Sequence, residues 1–303
     1  MLNAEDYILR SKRQKLHLPK LLSPKLPDEL LTKFSIPQLR VENIYLENQN
    51  SQKRAEIGGN NLSYEDIAKK LKHKADKLFD SQEYCFAAAC FVESYLLFTA
   101  QLYQKCTRNQ TALTKSKNSR VTEVDWIELA KYGVRISKRL NTISGDKSTA
   151  TYTQSVRPAI GMCYFVNAFI LKYLLEAKEK KLKLMIDSNE GDPAKLSRRM
   201  KLAVEKLLRV QDSFNNSMVK GEKYLPITDI IHKYPRLVQH SKSLSEVELA
   251  KLVIPKREQM FEETNYTLPI AGHTFSLPCI VNFGLYFVCE WAKQENADYK
   301  WSF

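Results

Sequence analysis

Glycine is scarce in this sequence, with 9 glycines among 303 residues, about 3% where roughly 7% is usual. So few glycines argue against folds that depend on many tight turns or on glycine-rich loops around phosphate groups. The nucleotide-binding patterns G-x-G-x-x-G and G-x-x-x-x-G-K are missing, as are H-E-x-x-H and G-x-S-x-G. These absences favour a helical protein and predict that it is not an enzyme.

Metal-binding and disulfide patterns are also missing. The six cysteines form no C-x-x-C pair, which predicts free, buried thiols in a reducing compartment. Of the five histidines, only His232 and His240 lie near each other in sequence, and their spacing is not typical of a zinc site. We therefore expect neither a metal nor a cofactor. Residues Met1–Arg10 lack the apolar block of a secretory signal, which favours the cytosol or the nucleus.

Three apolar stretches approach the composition of membrane spans: Tyr84–Tyr103, Pro158–Leu175 and Leu277–Trp291. The first two carry polar residues and the third is short, so we interpret all three as buried helices and expect no membrane association. Glu93, inside the first stretch, could be a general base with a raised pKa. A structural carboxylate paired with a lysine, an arginine or a backbone amide is the favoured interpretation.

Positive charge is in clear excess. The chain has 47 lysines and arginines against 34 acids, a net charge of +13, and its pI is about 9.3. Such a balance predicts a polyanionic partner, RNA or DNA, contacted mainly through phosphates. The helix predicted after Pro193 has one apolar stripe with a basic sector beside it. Residues proposed to bind nucleic acid are Lys195, Arg198, Arg199, Lys206 and Arg209 on this helix and Lys115, Lys117 and Arg120 in an acid-free loop. Other members of the cationic surface are Lys105 and Arg108, which belong to the same acid-free stretch, and Lys178, Lys180, Lys181 and Lys183.

Apolar residues at helical spacing predict an all-α domain over residues 62–303, a bundle of about seven to eight helices without a sheet. Ser63 followed by Asp66 predicts the first helix start. The predicted helices are 62–79, 83–105, 122–141, 151–186, one beginning at 193, 245–251, 256–267 and one beginning at 276 or 278. Between them, we expect a polar loop over 107–120 and irregular chain from Gly221 around Pro226 and Pro235.

Residues 1–61 differ from the rest because prolines separate short apolar pieces there. We expect an extended or disordered arm that either recruits a partner or packs along its own domain. Its apolar anchors are Leu30, Leu31, Phe34, Ile36, Leu39, Val41, Ile44, Tyr45 and Leu46. Near its start, the basic cluster Lys12, Arg13 and Lys15 predicts a nuclear-import signal, although short basic clusters are common.

The last predicted helix is apolar on nearly all sides. A helix docked on a single chain usually leaves one side in water. Burial of Phe283, Phe287 and Trp291 in a homodimer interface is therefore a second interpretation beside burial in the core.

Four segments resemble the C-terminal homology domain of the AF-four/FMR-two (Lilliputian) family and occur in that family's order. They are Leu71–Leu78, Ala89–Ser94, Trp126–Tyr132 and Ile254–Met260. Lys-His-Lys-Ala-Asp in the first and Ile-Pro-x-Arg-x-x-Gln-Met in the last carry most of the resemblance. It spans about residues 62–296, and the middle matches only in pattern.

The resemblance implies a tetratricopeptide-like helical bundle that forms a homodimer and binds RNA or DNA. It also implies a nuclear scaffold for RNA polymerase II elongation that holds an ELL-type factor and its EAF-type companion. The compact layout fits a short fungal relative that associates with these two proteins, and the arm would then be the recruiting segment. The very long disordered region of the family is missing from this sequence, which puts the other partners in doubt. The alternative is a stand-alone helical protein that binds RNA or DNA without an elongation partner.

Overall fold

The described part of the chain is mainly helical. The computed structural model describes residues 63–111, 121–143, 150–187, 193–242, 276–295, and in addition residues 244, 245, 248, 252, 254, 266–268 and 299. Within these residues there is no strand, so the predicted all-α bundle is confirmed. In chain order the helices are α1 Tyr64–Asp80, α2 Tyr84–Thr111, α3 Glu123–Thr142, α4 Ala150–Asp187, α5 Pro193–Tyr224, α6 Ile227–Lys233, α7 Pro235–Gln239 and α8 Leu277–Gln294.

Helices α1 and α3 begin at hydrogen bonds between residues that lie three apart in the sequence. The Ser63 hydroxyl accepts a bond from the Asp66 amide at 3.2 Å, as predicted for the start of α1. At the start of α3, the Asp125 carboxylate accepts bonds from the Thr122 amide at 2.6 Å and the Thr122 hydroxyl at 2.8 Å. These contacts satisfy polar groups that the first turn of a helix leaves without partners.

Helix α2 lies at the centre of the bundle and contacts α1, α3, α4 and α8. Every residue from Ala87 to Leu97 is buried, which confirms the interpretation of this apolar stretch as a buried helix. The helix continues to Thr111. The predicted end at Lys105 was therefore wrong, and the first residues of the expected loop are helical.

Helices α4 and α5 form a pair of long helices packed against each other. Every residue of α4 from Ala159 to Ile170 is buried, whereas most side chains from Glu176 to Asp187 are exposed. Gly221 is buried within α5, with no room for a side chain because a Cβ there would lie 2.7 Å from the Phe165 ring. The expected irregular chain from Gly221 onward was wrong, since α5 continues to Tyr224 and the short helices α6 and α7 follow.

Helix α8 is surrounded by its own chain. It contacts α2, α4 and α7, and Phe283, Phe287 and Trp291 have 0% of their surface exposed. The Trp291 indole donates a hydrogen bond to the Ser155 carbonyl at 3.1 Å. The dimer-interface assignment of these three residues is corrected, because side chains without exposed surface in one chain cannot contact a second chain. The apolar excess of α8 is a core property.

Two of the apolar stretches satisfy the length and hydropathy of a membrane span, in α2 (Tyr84–Thr107) and in α4 (Gln154–Asp187). In each, 72% of the most apolar window is buried inside the bundle. Core helices of this kind pass the same test, which agrees with their interpretation as core helices.

All six cysteines are free thiols, as predicted; Cys90, Cys163 and Cys279 are buried and the other three half-buried. Burial raises the pKa of the Cys163 thiol to about 12 and that of Cys90 to about 11. A thiol with so high a pKa is a poor nucleophile near neutral pH.

Of the two predicted helices after α7, only isolated residues are described. The Ser245 amide and hydroxyl both donate to the Glu248 carboxylate, at 2.8 and 2.7 Å. This arrangement is typical of a helix start and fits the predicted start at Ser245. The remainder of 245–251 and nearly all of 256–267 lie outside the described residues.

Candidate nucleic-acid interface

The candidate interface is the basic sector of α5, called here the α5 ridge and defined by Arg198, Arg199, Lys206 and Arg209. All four side chains are exposed. They lie within about 100° of the helix circumference and extend over roughly 16 Å of its length, at 1.5 Å per residue. Next to the ridge runs the half-buried apolar stripe that attaches α5 to α4, composed of Leu196, Met200, Ala203, Leu207, Val210 and Phe214. The helical periodicity in the sequence therefore predicted both faces of α5 correctly.

Acidic side chains do not neutralise the ridge. Among the described residues, none of its four cations forms an ion pair. On the same helix Glu205 precedes Arg209 by four residues and Asp212 follows it by three, so both lie near Arg209, but neither forms an ion pair with it. The positive charges are therefore available to an external anion.

The ridge continues further along α5 than the sequence analysis recognised. Lys220 is exposed and lies in the same sector. Arg198, Arg209 and Lys220 follow one another at intervals of eleven residues. Eleven residues are close to three helical turns, so this spacing is the signal that was missed. The Lys220 ammonium lies 5.5 Å from the centre of the Tyr164 ring. With Lys220, the row of cations extends over about 33 Å.

Two lysines assigned to the cationic surface have partners inside the chain. The Lys178 ammonium binds the Glu123 carboxylate, joining α4 to α3, and the Lys178 side chain is only 16% exposed. The Lys105 ammonium binds Glu65 at 2.7 Å, joining α2 to α1. The assignment of Lys178 and Lys105 to a surface that binds nucleic acid is corrected, because each ammonium forms an ion pair with a carboxylate of another helix. Lys180, Lys181 and Lys183 are exposed, as expected.

The side chains of the remaining predicted binding residues lie outside the described part of the chain. For Lys195 the structure describes the backbone alone, in the first turn of α5. Lys115, Lys117 and Arg120 lie outside the described residues, and so does the side chain of Arg108. The entire arm, with its apolar anchors and the import cluster at Lys12, Arg13 and Lys15, also lies outside them.

Glu93 is fully buried in α2. The Tyr299 hydroxyl donates a hydrogen bond to its carboxylate, and burial, with the adjacent Glu93 charge, raises the pKa of Tyr299. We expected a lysine, an arginine or a backbone amide as partner. The tyrosine was not predicted because it lies 206 residues away in sequence.

Histidines do not form a site in the described part of the chain. His73 and His232 are exposed and His240 is half-buried. Among the described residues, no three His, Cys, Asp or Glu side chains lie close enough together to hold a metal ion.

Comparison with known proteins gave no match. No family model matches the chain, and neither does any curated protein or any solved structure. The resemblance to the AF-four/FMR-two family therefore stays a prediction that depends on the four segments quoted above.

Proposed function

We propose that this chain is a non-enzymatic adaptor that binds RNA or DNA through the α5 ridge, extended by Lys220. The observation that carries the proposal is the row of exposed cations along one side of a 32-residue helix. Among the described residues these cations have no acidic partners. Clustered, uncompensated arginines and lysines on one helix face are typical of phosphate-binding surfaces.

Binding of this kind is directed at phosphates and is sensitive to salt. Each phosphate contact releases condensed counterions, so the logarithm of the binding constant falls linearly with the logarithm of salt concentration. Arginine can bind a phosphate through two parallel hydrogen bonds, and three of the four ridge residues are arginines. The ridge fixes position on a nucleic acid backbone without reading bases.

Within the cell, we propose a nuclear scaffold role in RNA polymerase II elongation, with an ELL-type factor and its EAF-type companion as partners. The support for this part is the resemblance of the four segments, and the arm at 1–61 is the proposed recruiting segment. Homodimerisation belongs to the same proposal, through a surface other than Phe283, Phe287 and Trp291. The second candidate is a stand-alone protein that binds RNA or DNA, which the ridge supports equally.

Charge reversal tests the ridge. Replacing Arg198, Arg199, Lys206 and Arg209 by glutamate should leave α5 folded, because these exposed positions avoid the apolar stripe. For a single-stranded RNA contacted at all four positions, the salt slope should flatten by about 2.8, four times about 0.7. A matched control reverses four exposed lysines elsewhere: Lys70, Lys74, Lys77 and Lys138. If both variants lost the same affinity, net charge rather than the ridge would account for binding.

Affinity purification of the tagged chain from its native cells, with and without nuclease, separates the two cellular roles. Under the scaffold proposal, an ELL-type factor is recovered even after nuclease treatment, and deletion of residues 1–61 removes it while RNA binding persists. Recovery of RNA-binding proteins alone, and only without nuclease, would favour the stand-alone protein.

A further inference from the structure

The cations of α5 fall into three groups that are unevenly spaced along the helix. Arg198 and Arg199 form the first group, Lys206 and Arg209 form the second, and Lys220 is the third. At 1.5 Å per residue, the centres of the first and second groups are about 14 Å apart, and those of the second and third about 19 Å apart. The row therefore has a short gap followed by a long one, and measures about 33 Å from Arg198 to Lys220.

This spacing matches the spacing of phosphates along one side of B-form DNA. One helical turn of the duplex is about 34–36 Å long, so each strand returns to the same side after that distance. The second strand divides the turn unequally, because the minor groove is about 6 Å wide and the major groove about 12 Å wide. When α5 lies along the duplex, the first and third groups lie over one strand, one turn apart, and the second group lies over the other strand. The short gap then crosses the minor groove and the long gap the major groove.

An exposed leucine lies in the short gap. Leu202 is 50% exposed and follows Arg198 by four residues, so it lies on the same side of the helix as the cations. With α5 along the duplex, Leu202 faces the sugars that border the minor groove. These sugars carry a 2′-hydroxyl group in RNA, and A-form RNA displays it in its wide, shallow minor groove. An apolar side chain at this position therefore favours DNA over RNA.

Lys220 is held in position at the far end of the row. Its side chain is exposed, and its ammonium lies 5.5 Å from the centre of the Tyr164 ring. An aromatic ring attracts a cation over its face without neutralising it. In the part of the chain that the structure describes, Lys220 forms no ion pair. The third group is therefore a positioned cation whose charge is available to a phosphate.

We propose that the α5 ridge, extended by Lys220, binds B-form duplex DNA with α5 parallel to the duplex axis. The three groups of cations contact phosphates of both strands, and Leu202 lies against deoxyribose in the minor groove. This inference rests on the proposed nucleic-acid binding and adds the class of nucleic acid, which the proposed function leaves open. A single strand has no fixed distance between its phosphates, so it gains no advantage from the spacing of the three groups.

Binding of the full chain to matched oligonucleotides, measured by fluorescence polarisation, tests the choice of duplex DNA. We expect a DNA hairpin to bind about tenfold more tightly than the RNA hairpin of the same sequence at equal salt. The DNA hairpin is made in two lengths, about 16 and about 7 base pairs, which are longer and shorter than one turn of roughly 10 base pairs. Lys220→Gln should lower the salt slope by about 0.9 on the longer hairpin and leave it unchanged on the shorter one, which spans only two groups. Lys201→Gln, the same change at an exposed position of α5 outside the ridge, should change neither slope.

A second variant tests the orientation of α5 on the duplex without changing charge. Leu202→Ser should lower the affinity for the longer DNA hairpin by about threefold or more, because an apolar contact is lost. Its affinity for the RNA hairpin should stay within about twofold of the native value. Leu208→Ser is the matched control, because Leu208 is 54% exposed and lies about 120° around the helix from Leu202. The control should bind both hairpins as the native chain does.

Two outcomes would overturn the inference. One is an RNA hairpin or a single strand that binds as tightly as the DNA hairpin, and the other is an equal effect of Lys220→Gln on both hairpin lengths. In either case, weaker binding after glutamate replaces Arg198, Arg199, Lys206 and Arg209 would still support the proposed function. If that variant bound every oligonucleotide as tightly as the native chain, the proposed function would fail together with this inference.

Discussion

Replacement of Phe287 by alanine tests whether α8 is a core helix or a dimer contact. In the structure Phe287 has no exposed surface and lies between aromatic neighbours. Its ring centre is 5.5 Å from that of Tyr234, 6.2 Å from Phe283 and 6.3 Å from Trp291. Truncation of a buried phenylalanine costs about 3–5 kcal/mol, a large part of the roughly 5–15 kcal/mol that stabilises a typical domain.

Urea unfolding followed by circular dichroism measures this loss, and light scattering after size-exclusion chromatography gives the oligomeric state. We expect a much lower unfolding midpoint and the same oligomeric state for whatever fraction remains folded. Val219→Ala is the control, because Val219 is 66% exposed and its truncation should change stability by at most about 0.5 kcal/mol. A Phe287→Ala chain of native stability that had changed from dimer to monomer would refute the core assignment.

Two further predictions concern contacts between helices. The pKa of Glu65 in the folded chain, about 2, lies below its ordinary value of 4.5, so its ion pairs stabilise the fold above about pH 4.5 and lose this effect as the pH falls towards 2. The Glu65 side chain is 35% exposed, so the native chain should exceed the Glu65→Gln variant in unfolding free energy by only about 1 kcal/mol at pH 7. This difference should become smaller near pH 3. A difference that grew in acid would contradict the stabilising role of the Glu65 ion pairs. Gly161→Ala should destabilise the chain by about 1–3 kcal/mol, because its Cβ would lie 2.7 Å from the Leu225 backbone nitrogen. Gly284→Ala should lower the unfolding free energy by less, since the nearest atoms to its new Cβ are flexible side-chain ends of Leu96 and Met162. Urea unfolding that showed the larger loss for Gly284→Ala would contradict this reasoning.

The amino-acid sequence by itself determined where most helices begin and which side of α5 faces the bundle. A helix start depends on hydrogen bonds between residues three apart, as between Ser63 and Asp66, and such contacts are visible in a short window of sequence. The two faces of α5 depend on the repeat of 3.6 residues per turn, which is equally local. For the same reason the basic ridge could be predicted residue by residue.

Only the tertiary structure decided which charges are free and which apolar faces are covered. Lys178 and Lys105 resemble the ridge cations in sequence, yet each binds a carboxylate on another helix. From the sequence, the aromatic side of α8 fits a core or a dimer interface equally well. The structure shows that α2, α4 and α7 pack around α8. These properties depend on residues that lie far apart in sequence and close together in space, and no local pattern specifies such pairs.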